Sequence, residues 1–323
     1  MNQETEMTVK EAARLVQDIL HEVRKVVVGK DVVILKVLLA MLAKGHVLLE
    51  DMPGVGKTTL ALAFAKTLDL DYHRLQLTPD VLPTDITGFS IYQKESGTFE
   101  FKKGVAFCNL LLADEINRTS SKTQAALLEV MEESGVTVDG TTYPMPLPYC
   151  VLATQNPVGC VGTQMLPESQ LDRFMLRLHM GYPDLDSEIQ IMQARKNANP
   201  LDEVKQVATA DDLLELQTIV ENVHVEDSVY RYIAELAEAT RNHEMLRLGV
   251  SPRGSLALIA ASKAVAVVRG RDYVVPEDIT VVAHEVFCHR LMLSSRARMA
   301  GLTADDILDE ILESVAAPTL EKA

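Results

Sequence analysis

Hydrophobic and polar positions divide this chain into two parts with different patterns. In the first part, residues 1–182, strand-like runs lie at residues 47–50, 72–77, 110–113 and 149–154. The segments between them, such as residues 119–134, carry apolar side chains at helical spacing. Because strands that alternate with helices usually pair in parallel, this part predicts an α/β fold with a parallel sheet.

Two further segments predict β-hairpins inserted near this sheet. The first spans residues 89–101 with a glycine turn at Gly97, and the second spans residues 136–143 with Asp139-Gly140 at its turn. Asp-Gly between alternating residues is a strong signal for a tight turn. The predicted core therefore carries two hairpin insertions.

From Pro183 onward the pattern changes to helical apolar spacing with little strand signal. The predicted helices span residues 187–196, 210–222, 227–241, 255–269 and 277–292. We therefore expect two domains, an α/β core over residues 1–182 and an all-helical domain over residues 183–323.

A glycine-rich turn between the first strand and the next helix carries the strongest chemical signal. Residues 54–59 read GVGKTT, and such a turn directs backbone N–H groups and a helix N-terminus toward an anion. Lys57 can reach the β- and γ-phosphates of a nucleotide, and Thr58 can hold Mg²⁺. The full P-loop pattern has a glycine where this chain has Asp51. The residues predicted to bind ATP are Gly29, Pro53, Gly54, Val55, Gly56, Lys57, Thr58 and Thr59.

Polar residues end two other predicted strands. The run at residues 110–113 leads into Asp114-Glu115, in the order and spacing of a Walker B motif. Asp114 is predicted to hold Mg²⁺ together with Thr58, and Glu115 to polarise the attacking water. Asn156 follows a further strand, and we expect it to hold the attacking water or the γ-phosphate.

Four stretches together resemble the MoxR family of AAA+ ATPases, and they lie at residues 45–59, 114–118, 153–157 and 171–174. The family carries two hairpin insertions and a helical lid, so the resemblance extends over nearly the whole chain. It implies an ATPase that assembles into a ring, expected to be a hexamer. Between residues 158 and 165 the chain departs from the family pattern, which bears on ring contacts and partner preference.

The resemblance also implies roles for arginines. Arg173 matches the arginine that enters the neighbouring subunit's ATP site, with Arg177 as an alternative for that role. Arg253, in Ser-Pro-Arg at residues 251–253, matches the second-sensor arginine, expected to contact the γ-phosphate of its own chain and to move the lid. Whether Arg118 takes part stays open.

Partners follow from the family as well. MoxR-like proteins are associated with partners that contain a von Willebrand factor A-type domain and with metal-cofactor insertion, so the expected activity is remodelling of a protein client. An alternative is an AAA+ motor acting on nucleic acid, since related hairpin-bearing proteins act on DNA. A switch with negligible turnover is a third reading, which the intact Glu115 disfavours.

Charge opposes the nucleic-acid alternative. The net charge is −15, which repels a polyanion. Basic residues cluster locally, and we interpret the clusters as solvated faces. They are Lys102 with Lys103, Arg269 with Arg271, and Arg290 with Arg296 and Arg298.

Composition adds two expectations. Apolar residues make up 47% of the chain, which is enough to form hydrophobic cores. The longest apolar stretch, residues 32–43, is interrupted by Lys36 and does not resemble a membrane span. The polar N-terminus is unlike a signal peptide, so we expect a cytoplasmic protein without a membrane span.

The cysteines predict neither a disulfide framework nor a zinc site. Cys108, Cys150, Cys160 and Cys288 fall at irregular spacings without a C-x-x-C pair. His284, Cys288 and His289 could form a metal site, but they lie in a helical apolar pattern and are interpreted as packing residues. The sequence thus predicts no metal other than Mg²⁺.

Overall fold

The structure is a computed structural model that describes residues 7–156, 166–194 and 199–319. Its strands are β1 (Val47–Glu50), β2 (Tyr72–Gln76), β3 (Gly88–Gln93), β4 (Thr98–Lys103), β5 (Leu110–Asp114), β6 (Gly135–Val138), β7 (Thr141–Pro144), β8 (Cys150–Gln155), β9 (Leu176–Leu178), β10 (Leu246–Leu248) and β11 (Met292–Leu293). The helices of the first half are α1 (Val9–Arg24), α2 (Asp31–Leu42), α3 (Lys57–Thr67), α4 (Pro83–Thr87), α5 (Ser121–Glu133) and α6 (Glu168–Leu171). Those of the second half are α7 (Leu185–Ala194), α8 (Ala210–Glu221), α9 (Asp227–Asn242), α10 (Pro252–Val268), α11 (Pro276–Phe287), α12 (Ser295–Met299) and α13 (Ala304–Ser314).

A five-stranded sheet forms the centre of the core, in the order β2-β5-β8-β1-β9. All of its neighbouring strands are parallel, so their carboxyl ends meet at one edge and their amino ends at the other. The α/β fold expected from the sequence is confirmed, and the strand predicted at residues 47–50 has those bounds.

Both predicted hairpins are present as antiparallel pairs, β3 with β4 and β6 with β7. Asp139 and Gly140 have φ values of 50° and 80°, the positive values that a two-residue type I′ turn requires. The rings of Phe101 and Tyr143 stack with their centroids 4.0 Å apart, so the two hairpins contact each other.

The second half is helical as expected, with one local exception. The helix predicted to reach residue 292 ends at Phe287 and is followed by a 3₁₀ turn, Cys288–Arg290. After this turn, β11 pairs antiparallel with β10, a ribbon that the sequence analysis did not predict. Arg290, the last residue of this turn, is buried.

The N-terminal helices and the lid helices share one apolar cluster. Thr8 and Glu11 form a capping box that begins α1, and α1 buries Val16, Ile19 and Val23. This face packs against α3 and α10, while α10 also packs against α2, α8, α9 and α11. The domain boundary at residues 182 and 183 stays a prediction.

The basic pair Arg269 and Arg271 is not a solvated face, contrary to our interpretation. Both guanidinium groups bind the buried carboxylate of Asp278, with N–O distances of 2.9 and 2.6 Å to Oδ1. Asp278 also accepts the N–H of Val275 at the start of α11. The pairing ties the end of α10 to the start of α11.

Within the described residues, no helix combines the length and the apolar character needed to cross a bilayer.

A buried histidine joins the amino edge of the sheet to α5. His46, just before β1, accepts the N–H of Val151 at Nδ1, and its Nε2 lies 3.0 Å from the carbonyl oxygen of Met131. Burial lowers the pKa of His46 to about 4 from an ordinary value of 6.5. The imidazole is therefore neutral and donates from Nε2.

Because the folded chain holds His46 neutral, we predict a loss of stability in acid. Between pH 6.5 and about 4 the unfolded chain binds a proton that the folded chain does not, so the free energy of unfolding falls as the pH falls. A pKa difference of about 2.5 pH units corresponds to about 3 kcal/mol. Urea unfolding across this range should show a flatter pH dependence for His46→Gln than for the wild type.

The matched control for this prediction is His21→Gln, since His21 is exposed on α1. That variant should keep the wild-type pH dependence. An unchanged slope in His46→Gln would mean that other groups cause the acid sensitivity.

Candidate active site

The turn between β1 and α3 has the geometry of an anion cradle. Gly54 and Gly56 adopt φ values of 89° and 101°, in the left-handed region that favours glycine. Gly56 is the N-cap of α3, and no side chain caps the N–H groups of the first turn. Uncapped N–H groups and the helix dipole both favour a bound anion such as phosphate.

Lys57 begins α3 and points back over this turn. Its Nζ donates to the carbonyl oxygen of Asp51 at 2.8 Å. Burial lowers the pKa of Lys57, against the attraction of Asp114, Asp51 and Glu115. A cation among three carboxylates is thus available to bind phosphate oxygens.

Asp51, the departure from the P-loop pattern, has a structural role. Its carboxylate accepts the backbone N–H groups of Met180 and Gly181, the latter at 3.0 Å. These residues lie just beyond β9, at the carboxyl edge of the sheet. A glycine at this position could not make these bonds, so Asp51 fastens the P-loop to the end of β9.

Asp114 and Glu115 end β5 at the same edge. The Thr154 hydroxyl donates to Asp114 Oδ1 at 2.6 Å and accepts the N–H of Glu115 at 2.8 Å. Arg74 donates to the other oxygen of Asp114 at 2.7 Å. Glu115 has a φ of 59°, an uncommon conformation for a residue with a side chain.

Three donors restrain the Glu115 carboxylate. Asn156 Nδ2 donates to Oε1 at 2.9 Å, while Gln76 Nε2 and Arg118 Nη1 donate to Oε2 at 2.7 and 2.8 Å. Burial is the largest influence on its pKa and raises it, but the hydrogen bonds, first that from Asn156, outweigh burial and lower the pKa. These donors take about three of the four acceptor sites of the ionised carboxylate, and they fix its orientation.

Asn156 is itself held in place by a second asparagine. The Asn156 N–H donates to Asn117 Oδ1 at 3.3 Å, and Asn117 Nδ2 donates to the Asn156 carbonyl at 3.1 Å. The structure therefore brings Asn156 and Glu115 together. Sequence reasoning missed Arg74, Gln76, Asn117 and Thr154, although Gln76 and Thr154 belong to strand ends like the residues it selected.

These residues fit a nucleoside triphosphate with Mg²⁺. The uncapped α3 N-terminus and Lys57 suit the phosphates, and Thr58 and Asp114 supply the oxygen ligands that Mg²⁺ prefers. The assigned roles of the individual residues stay predictions.

A cavity of about 390 Å³ adjoins the phosphate cradle. Its lining is largely apolar and includes Val26, Val27, Val55, Tyr182 and Met192. Such walls suit a nucleobase.

Gly29 was predicted to bind the nucleotide, and this stays a prediction. Its neighbours Val28 and Lys30 line the cavity. Gly29 has a φ of 72°, and a Cβ there would lie 2.2 Å from Ser187 Oγ. Glycine therefore permits the close approach of α7.

Arg173 and Arg253 lie together at the opposite edge of the sheet. Arg173 precedes β9 and has its Nη2 3.2 Å from Glu132 Oε2, while Arg253 binds the other oxygen of Glu132. The cavity around them is lined by residues that precede β1, including His46. The four residues of β1 span about 13 Å, which separates both arginines from the phosphate cradle of their own chain.

The expectation that Arg253 contacts the γ-phosphate of its own chain is therefore not met in this structure. Ser251, the N-cap of α10, donates to Asp172 Oδ2 at 2.8 Å. Together with the pairing to Glu132, this bond fixes the start of α10 at the amino edge.

The other two arginines pair within their own chain. Arg177 lies in β9 with its Nη1 3.5 Å from Glu50 Oε2, and Arg118 binds Glu115. The departure from the family pattern at residues 158–165 lies outside the described residues.

Arg290 was interpreted as part of a solvated basic cluster, and this is wrong. It is 6% exposed, its Nε donates to Asp172 Oδ1 at 2.6 Å, and its Nη2 donates to the Phe174 carbonyl at 2.7 Å. Burial lowers its pKa, while Asp172 opposes that effect. His289 also contacts the Phe174 carbonyl. The lid thus holds the segment that carries Arg173.

We predict that Arg290→Met destabilises the protein by about 3 kcal/mol, because it leaves the Asp172 carboxylate without its buried partner. Urea unfolding measures the difference. Arg296→Met is the matched control, since Arg296 and its partner Glu244 are each 69% exposed, and it should cost less than about 1 kcal/mol. If both variants lost the same free energy of unfolding, the buried contacts of Arg290 would contribute no more than an exposed ion pair.

Comparison with known proteins gives matches over most of the chain. Residues 46–176 match the ATPase family associated with various cellular activities (AAA), and residues 238–311 match the AAA lid domain. The protein YeaC of Bacillus subtilis is 47% identical over 304 residues, which cover 94% of this chain and 95% of that protein. Chaperone MoxR1 of Mycobacterium tuberculosis is 41% identical over 308 residues, 93% of this chain and 81% of that one.

A solved structure has the same fold. The crystal structure of a presumed ATPase from Cytophaga hutchinsonii superposes with a TM-score of 0.89 at 41% identity, covering 95% of this chain and 96% of the other.

Proposed function

This chain belongs to the MoxR family of AAA ATPases, and from that premise we propose an Mg²⁺-dependent ATPase whose active sites are shared between neighbouring subunits of a ring. Membership implies ATP binding and hydrolysis. The observation that carries the shared site is the position of Arg173 and Arg253, across the sheet from the phosphate cradle of their own chain.

One chain would supply most of the chemistry at each site. Lys57 and the α3 N-terminus bind the phosphates, Thr58 and Asp114 hold Mg²⁺, and Glu115 orients the attacking water. The Mg²⁺ held by Thr58 and Asp114 would supply positive charge to the phosphate oxygens. Asn156 exchanges its bond to Glu115 for one to the water or the γ-phosphate.

The neighbouring chain would complete the site with its arginines. An arginine supplied in trans stabilises transition-state charge and contributes on the order of 10³ to 10⁵ in rate. Arg173 is the arginine supplied in this way. Arg253 lies beside it in the same chain and approaches the same site, so both act between subunits. A contact between two different faces repeats around a closed ring, and we expect a hexamer.

A protein is the proposed client. The relative named chaperone MoxR1 supports this, and the net charge of −15 disfavours a polyanion. A partner with a von Willebrand factor A-type domain, and a role in metal-cofactor maturation, are proposed from the family resemblance. Hydrolysis stimulated by DNA with a steep salt dependence would favour the nucleic-acid alternative instead.

Mixing two inactive variants tests the shared site. Arg173→Ala lacks the arginine offered to its neighbour, and Glu115→Gln lacks its own catalytic carboxylate, so each alone should hydrolyse ATP very slowly while still binding it. In a 1:1 mixture, about a quarter of the sites combine an intact Glu115 with an intact neighbouring Arg173. Steady-state hydrolysis should therefore recover to about a quarter of the wild-type rate.

The matched control mixes Lys57→Ala with Glu115→Gln. Both of these changes disable the chain's own site, so no arrangement of subunits restores a complete one. Co-assembled Arg173→Ala and Glu115→Gln that stay inactive would overturn the shared site, whereas failure of the wild type to hydrolyse ATP would overturn the activity itself.

Glu132 also generates a prediction, because it occupies both arginines in the single chain. Each ion pair is partly exposed and worth about 0.5–1 kcal/mol, a factor of about 2–5 in an equilibrium. Glu132→Gln removes both pairs and should lower the protein concentration at half-maximal specific activity by a factor of roughly 4–25. Glu129→Gln, exposed on the same helix, should leave the concentration unchanged. A higher concentration for Glu132→Gln would place Glu132 in the assembled contact instead.

A further inference from the structure

The lid contains a cluster of metal-binding side chains remote in sequence from the ATP site. His284 and Cys288 lie four residues apart at the end of α11, and Asp305 lies in the first turn of α13. His284 Nδ1 is 3.1 Å from Asp305 Oδ1, Cys288 Sγ is 3.3 Å from the same oxygen, and Sγ is 3.8 Å from Nδ1. Three different ligand atoms thus face one another.

We propose that these three side chains bind a divalent transition-metal ion of the zinc class. A tetrahedral ion with Zn–N and Zn–O bonds of about 2.1 Å and a Zn–S bond of about 2.3 Å separates its ligand atoms by about 3.4–3.6 Å. The three distances in the lid bracket that range, so an ion fits with small adjustments. Three protein ligands leave the fourth position for water.

A further carboxylate orients the histidine as in known metal sites. Asp309, one turn beyond Asp305 on α13, has Oδ1 3.1 Å from His284 Nε2. A ligating histidine typically donates its other ring N–H to such a carboxylate, which fixes the tautomer that leaves Nδ1 free. Ion pairs account for the histidine contacts, and the Cys288 thiol, which donates to the same Asp305 oxygen, brings a third kind of ligand atom to the cluster.

The ligand chemistry selects the class of ion. Thiolate and imidazole favour zinc-like ions, whereas Mg²⁺ and Ca²⁺ prefer oxygen ligands. In the metal-free cluster the thiol donates to Asp305, and a bound ion takes the place of that proton, which passes to solvent. A dication with one thiolate and one carboxylate is neutral overall. Arg177 and Glu285, which also act on Cys288, are opposite in charge.

A metal ion in this cluster would link two segments of the lid. Cys288 and Arg290 belong to the same 3₁₀ turn, and Arg290 holds the segment that carries Arg173. A metal ion would therefore fasten α13 to this turn. Our interpretation of His284 and Cys288 as packing residues did not include Asp305, which is 17 residues beyond Cys288.

Cobalt binding tests the site directly and does not depend on ATPase activity. Tag-free, reduced, nucleotide-free protein is titrated with Co²⁺ and followed by absorption. The wild type should bind one ion in this cluster, with a near-ultraviolet thiolate-to-cobalt band and visible bands of a tetrahedral ion, both removed by Zn²⁺. Cys288→Ser should abolish the thiolate band. Cys108→Ser, which removes another buried thiol, should keep it.

The partly exposed His284 and the exposed Asp309 keep the test decisive if Cys288→Ser does not fold. Asp309→Asn should weaken Co²⁺ affinity about 10–100-fold with the thiolate band retained. His284→Gln should weaken it more. Absence of the band in the wild type, its persistence in Cys288→Ser, or unchanged affinity in both His284→Gln and Asp309→Asn would overturn the proposal.

Discussion

The separation between the two edges of the parallel sheet is the constraint on which the site depends. Parallel pairing brings every strand's carboxyl end to one edge, where the P-loop, Asp114 and Asn156 meet. The same pairing sends the segment before β9, with Arg173, to the other edge. In this chain the two sets of residues lie at opposite edges of the sheet. The shared site that we propose would therefore follow from strand direction.

Polar groups at the carboxyl edge of the sheet form hydrogen bonds with one another. Thr154 connects Asp114 to the backbone of Glu115, and Gln76 and Asn156 approach the Glu115 carboxylate from the strands or strand ends on either side. Buried polar groups without partners are costly, so this network is stable before any nucleotide arrives. A nucleotide that draws one donor away changes the bonding of Glu115. The Glu115 carboxylate is therefore coupled by hydrogen bonds to both neighbouring strands.

Local patterns predicted much of this molecule from the sequence. The strand at residues 47–50, both hairpins, the P-loop turn and most lid helices are encoded in short stretches whose spacing determines their structure. Contacts between distant segments were missed. Arg290 looked like surface charge because Asp172 lies more than 100 residues earlier, and the role of Asp51 depended on Met180 and Gly181. Helix α11 was predicted too long because apolar spacing continues past Phe287, while residues of the following turn contact Asp172 and Phe174.

β9 is only three residues long, and it connects the segment that carries Arg173 to the residues that contact the P-loop. Beyond its carboxyl end, Met180 and Gly181 hold Asp51 of the P-loop, and before its amino end lies Arg173. Three strand residues span about 10 Å, so a displacement at one end of β9 would lie close to the other. In a ring, occupancy of one pocket would thereby alter the arginine offered to the next. Neighbouring pockets would then influence one another through the chain that they share.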